Sequence, residues 1–236
     1  MSRVGTIVWK EWRLAVDTPM GYVIATAFLL AAGFFFGNSL FLMGQAEMRG
    51  YFSIMPLLLM FFVPGMSMRM LAEELRIGTF ELLATLPVKT VHIVLGKYLA
   101  ILLQVAVLLA LTLVYPVTLS WLGNVDGGQI AASYIGALLL GSAYAAICLF
   151  ASSLSRNAVV AYVIGFALLL ALFLLQQAVP LFPPAMQDAL GVLSPIEHYQ
   201  LMLRGVIGLD DVVCLLVTSG VFIAFTVFQL ERRRWA

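Results

Sequence analysis

The sequence predicts an all-α membrane protein: six transmembrane helices, an N-terminal interfacial amphipathic helix, a cytoplasmic helix between spans 2 and 3, and short outer-face helices between spans 5 and 6. Three observations lead there. The 236 residues are 63% hydrophobic and 11% charged, with mean hydropathy +1.04, whereas soluble domains are about 45–50% apolar and about 25% charged. The apolar residues fall into six continuous runs rather than short alternating strands, which excludes a transmembrane barrel. The charges gather between these runs, most of all in Arg69–Lys97, which holds Arg69, Glu73, Glu74, Arg76, Glu81, Lys89 and Lys97.

The chain reads as a single transmembrane domain, 1–236. Residues 1–19 carry Trp9, Lys10, Glu11, Trp12 and Arg13 among apolar residues at 4, 7, 8 and 12. That spacing suits an amphipathic helix lying in the interface with its tryptophans at headgroup depth. A plain basic anchor accounts for the same residues. The apolar run that follows is longer than a signal-peptide h-region, so it reads as an uncleaved first span. The spans are residues 20–43, 51–68, 98–122, 130–154, 158–176 and 212–230. Pro56, Pro64, Gly65 and Pro116 inside them are tolerable in membrane helices and are expected to mark kinks. Ala137, Gly141 and Ala145, four residues apart with Ser133 and Ser142 nearby, form a small-residue face suited to packing within the bundle.

Orientation follows from the cations. With the N-terminus inside, 11 of the 13 Lys and Arg residues fall on the inner side, leaving Arg49 and Arg204 outside. The positive-inside rule then places both termini and the loop 69–97 in the cytoplasm. Residues 178–211 fall outside. There Ser194, Pro195 and Glu197 read as N-cap, N1 and N3 of a helix running to Arg204 and stopped by Gly205. Asp210 or Asp211 can cap the last span.

Within the cytoplasmic loop, Arg69–Leu75 is expected to extend span 2 as a charged helix, with Arg69 and Glu73 one turn apart. Gly78 should end it. Thr79 can then cap a second, short helix whose Phe80, Leu82, Leu83 and Leu86 are apolar, with Glu81 near its N-terminus and Pro87 as its stop. Its apolar side fits a groove in another protein or the lipid headgroups equally well.

The sequence holds no phosphate-cradling Gly-x-x-x-x-Gly-Lys loop and no basic groove with interleaved aromatics that would suit nucleic acid. His92 and His198 fall on opposite sides of the membrane, and Cys148 and Cys214 sit alone in apolar runs without metal or redox spacing. Ionisable residues at membrane depth would suggest an ion path, yet the polar residues there are of the kind of Asn38, Gln104, Thr112 and Ser133. A secondary transporter or channel without a motor is the alternative reading, and this polarity argues against it.

The run Ala72-Glu73-Glu74-Leu75-Arg76-Ile77-Gly78-Thr79-Phe80-Glu81-Leu82-Leu83-Ala84-Thr85-Leu86-Pro87-Val88, closed by Val94-Leu95-Gly96-Lys97, resembles the signature loop of ABC-2 type permeases. Trp9–Arg13 resembles that family's interfacial connecting helix, and Ser194-Pro195 the start of its outer helix. Pro19-x-Gly21-Tyr22, Ser194–Tyr199 and Arg204-Gly205-Val206-Ile207-x-Leu209-x-Asp211 resemble the gliding-motility-associated (GldF-type) branch. The resemblance implies a non-enzymatic membrane subunit of an ATP-driven exporter in a bacterial inner membrane. It further implies a second permease, identical or homologous, and two ATPase chains that carry the ATP and Mg. Phe80, Leu82, Leu83 and Leu86, capped by Thr79, would fill a groove on the ATPase, and Glu73, Glu74, Arg76 and Glu81 would orient it.

Overall fold

The computed structural model describes residues 3–43, 48–78, 89–122, 126–179, 183, 191 and 194–235. Among them the chain is helical, without strands: α1 (Arg3–Asp17), α2 (Pro19–Met43), α3 (Arg49–Ile77), α4 (Thr90–Leu111), α5 (Val114–Leu122), α6 (Gly127–Leu154), α7 (Ala158–Ala178), α8 (Pro195–Met202) and α9 (Leu209–Trp235). Six stretches are long and apolar enough to cross a membrane, with α4 and α5 together forming the third.

Helix α6 is the axis of the bundle. Its membrane-length window is 78% buried, against 11% for α2, and α3, α4, α7, α8 and α9 all pack on it. Its small residues explain this position. Ala137, Gly141 and Ala145 are all inside, and a Cβ on Gly141 would stand 2.8 Å from a Val105 methyl of α4. Backbone contact this close needs small residues. The hydroxyls of α6 are mostly satisfied within the helix, Ser133 donating to the Gln129 carbonyl and Ser142 to that of Leu139. Helix α9 behaves alike, with Thr218, Ser219 and Thr226 donating to the carbonyls of Cys214, Leu215 and Phe222. Ser152 differs: it donates to Met68 O and accepts from the Leu71 and Ala72 amides, fastening α6 to α3.

The prolines act differently from one another. Helix α3 runs unbroken through Pro56 and Pro64. Pro56 has no N–H to offer the Phe52 carbonyl, and the Tyr199 hydroxyl of α8 donates to it instead at 2.8 Å. Tyr199 is fully buried, and desolvation holds its phenol well above its ordinary pKa, so it stays a donor. Tyr199→Phe is expected to cost about 1–3 kcal/mol by stranding that carbonyl. In a Pro56→Ala background, where residue 56 regains its N–H, the cost should shrink measurably. Unfolding in detergent of the two singles and the double tests this, and an unchanged cost in both backgrounds would refute it.

Pro116 does break its helix. The turn at Thr112–Leu113 separates α4 from α5, and the Thr112 carbonyl, which Pro116 cannot serve, accepts from Tyr115 N–H and from the Tyr134 hydroxyl of α6, both at 3.0 Å.

The helix that carries the third apolar run begins at Thr90, ahead of residue 98, and Lys97 is paired inside the bundle. Three local expectations are corrected. Ser194 occupies the N-cap position of α8 but makes no side-chain cap; its hydroxyl donates to Gln176 Oε1 of α7 at 2.6 Å. Helix α8 ends at Met202, and residues 203–205 turn to Gly205 at φ +87. Asp211 lies in the first turn of α9, but its carboxylate meets His198 Nδ1 at 2.7 Å.

Candidate functional site

The contacts of α3 define two ends of the bundle. Phe52, near its start, meets α8, while Met70, near its finish, meets α4. At the second end α3 runs to Ile77 and stops at Gly78, whose φ of +79 is the left-handed conformation that glycine adopts without strain. Lys89 precedes α4. The two arms thus flank residues 79–88. Thr79, Phe80, Glu81, Leu82, Leu83 and Leu86 lie outside the described residues.

At this end of the bundle Lys97 is 1% exposed. Its ammonium has three N–H donors, and three acceptors surround it: Met70 O of α3 at 2.6 Å, Glu74 Oε1 of α3 at 2.8 Å and Glu11 Oε1 of α1 at 3.0 Å. Lys10 approaches Glu11 and Glu74 from the exposed side at 3.6 and 3.7 Å. Desolvating an ammonium costs several kcal/mol, and only paired charges with satisfied hydrogen bonds offset it. The cluster therefore holds α1, the C-terminal arm of α3 and the N-terminal arm of α4 as one unit. Packing adds to it. Helix α1 lies along α4, and a Cβ on Gly96 would stand 2.7 Å from Ile7 Cγ2.

The other predicted residues fall as follows. Glu73 pairs with Arg76 at 3.4 Å along α3, both partly exposed, so the Arg69–Glu73 pair gives way to an i,i+3 pair. Glu74 points into the bundle. On α1, Trp9 is half exposed with the Arg13 guanidinium 5.1 Å over its ring, Glu11 is buried, and Trp12 is half buried. At the far end Ser194 and Pro195 are buried, Glu197 lies against Gly191, and Arg204 is exposed.

Sequence reasoning did not find Lys97 as the hub or Glu11 as its partner. The two are 86 positions apart, and the one available signal was a carboxylate, Glu11, in the middle of a helix whose apolar spacing already asks for a buried face. Among the described residues no group of His, Cys, Asp or Glu could hold a metal ion, and Cys148 and Cys214 are not joined in a disulfide.

A cleft of about 740 Å³ opens beside the cluster, among α1, α2, α3 and α4. A smaller one of about 270 Å³ adjoins it, and both are lined by Met66 and Gln104.

No curated protein matches this sequence. The model of a family described as ABC-2 family transporter protein matches residues 6–235, from α1 through α9. With nearly the whole chain matched and six helices of membrane-spanning length on the page, the protein belongs to the ABC-2 transporter family as a multi-pass membrane permease.

Proposed function

We propose that this permease is the transmembrane subunit of an ATP-driven exporter and that residues 79–86 receive the stroke of a separate ATPase. The buried Lys97 cluster carries the reading. A segment pushed from outside transmits force only if its flanking arms cannot slip past each other, and Lys97 joins both arms and α1 at distances of 2.6–3.0 Å. Displacement of the segment then moves α3 and α4 together and shifts the permease between two access states, each favoured by its own contacts.

Phe80, Leu82, Leu83 and Leu86 are assigned to the ATPase groove, with Thr79 capping their helix. Glu73, Arg76 and Glu81 supply orienting charge, and Glu74 acts within the cluster. ATP and Mg belong to the partner, and this chain carries no catalytic residue. Six spans form half of a working unit, so the assembly contains two ATPase chains and a second permease. The positive-inside count puts both termini and residues 79–88 on the cytoplasmic side of a bacterial inner membrane, and the outer motifs favour the GldF-type branch. Co-expression with ATPase genes from the same locus should yield a four-chain particle by mass measurement, with ATP hydrolysis faster than that of the ATPase alone. Transport by the reconstituted permease without any ATPase would refute the proposal.

A further inference from the structure

The cleft beside the cluster has a polar mouth and an apolar continuation; its lining sets Lys10, Arg69 and Lys97 against Glu11, Glu73 and Glu74, and the ion pairs leave Arg69 over. Lys10 and Lys97 offset Glu11 and Glu74 within the cluster, and Arg76 offsets Glu73. Arg69, at the mouth, is exposed and has no anionic partner among the described residues. Further in, where both cavities meet, the Gln104 Nε2 amide is buried with no hydrogen-bond partner among the described residues. An unsatisfied buried donor is costly, so it marks a place where a ligand acceptor is favoured. Beyond it the second cavity is walled by Ala25, Leu108 and Leu111, and from Gln104 to Leu111 the wall extends about 10 Å along α4.

From this order of groups we infer that the cleft binds an anionic phospholipid of the leaflet next to α1. Arg69 takes the phosphate, for which a guanidinium offers paired donors. Gln104 donates to an ester carbonyl, and an acyl chain lies over Ala25, Leu108 and Leu111. Helix α1 forms one wall of the same cleft, with Glu11 in the lining, so the lipid touches the cluster that joins α1 to the two arms. The ligand follows from the cleft itself and does not depend on ATPase coupling.

The test uses the full chain, delipidated and then offered vesicles of phosphatidylglycerol or of phosphatidylcholine, with lipid retention read by native mass spectrometry. Wild type should retain one phosphatidylglycerol in preference to phosphatidylcholine. Arg69→Gln should weaken that preference by about tenfold, a typical loss for one charge-assisted contact, with the melting temperature of the protein unchanged. Ala25→Trp, which fills the tail cavity, should lower retention of both lipids. Equal retention of both lipids by wild type, or a preference that survives Arg69→Gln, overturns the assignment. So does retention that 10-fold excess inorganic phosphate abolishes while Ala25→Trp does not, since the ligand would then be a free anion.

Discussion

Replacing Leu83 by Asp is expected to separate the permease from its ATPase. The proposed contact seats Leu83 in an apolar groove, and an aspartate there must either ionise in a dry site or stay protonated at the expense of its pKa. Both routes cost several kcal/mol, enough to lower affinity by orders of magnitude. The permease itself should fold as before, because none of the described helices includes residue 83. Co-purification and permease-stimulated ATP hydrolysis should therefore both vanish while the melting temperature stays put. Leu83→Ala should be milder, since it removes apolar contact without adding a charge. An intact complex with stimulated hydrolysis in Leu83→Asp would remove residues 79–86 from the coupling role.

The second large effect belongs to Lys97. Substitution by Met leaves Glu11 and Glu74, both nearly buried, without the buried ammonium that bridges them, while Lys10 approaches from the exposed side. Breaking a buried ion pair by removing one partner costs about 3–5 kcal/mol. The loss should appear in detergent unfolding and as exposure of α1 to protease. The triple variant Lys97→Met, Glu11→Gln, Glu74→Gln should recover most of that stability, because no uncompensated charge remains. Recovered stability need not restore coupling, so ATP-stimulated transport by the triple variant separates the mechanical role of the cluster from its energetic one. A single Lys97→Met loss below about 1 kcal/mol, the range of exposed pairs, would show that the cluster does not organise this end of the bundle.

These two predictions differ in how far the residues themselves announced them. The apolar runs name the spans because hydrocarbon length and hydropathy are local properties, and the structure has six helices of that kind. The stop at Gly78 was equally legible, since a glycine after a helical pattern is the residue that tolerates positive φ. Lys97 shows where local reading stops. A charge in sequence reads as an edge, yet its partners come from Glu11 and Glu74, far away in the chain, and they carry it inside. Ser194 and Asp211 follow the same logic: each stands where a cap is expected and spends its side chain on a distant helix, on Gln176 and His198 respectively. Tyr199 on Phe52 O was illegible too, although Pro56 states plainly that some donor must be found. The segment 79–86 was legible only as a motif, and its role rests on the experiment above.

The hydroxyls of α6 and α9 have a bearing on how the protein is made. Because Ser133, Ser142, Thr218, Ser219 and Thr226 donate to carbonyls of their own helices, these five hydroxyls are satisfied while each helix waits singly in lipid after leaving the insertion machinery. Insertion and assembly are thereby separated in time. Helix α6 emerges before α9, and it can remain parked in the bilayer until its last neighbour has been synthesised. The bonds of α6 to other helices, from Ser152 to α3, from Tyr134 to the Thr112 carbonyl and between Ser142 and Ser219 of α9, then form as the partners arrive.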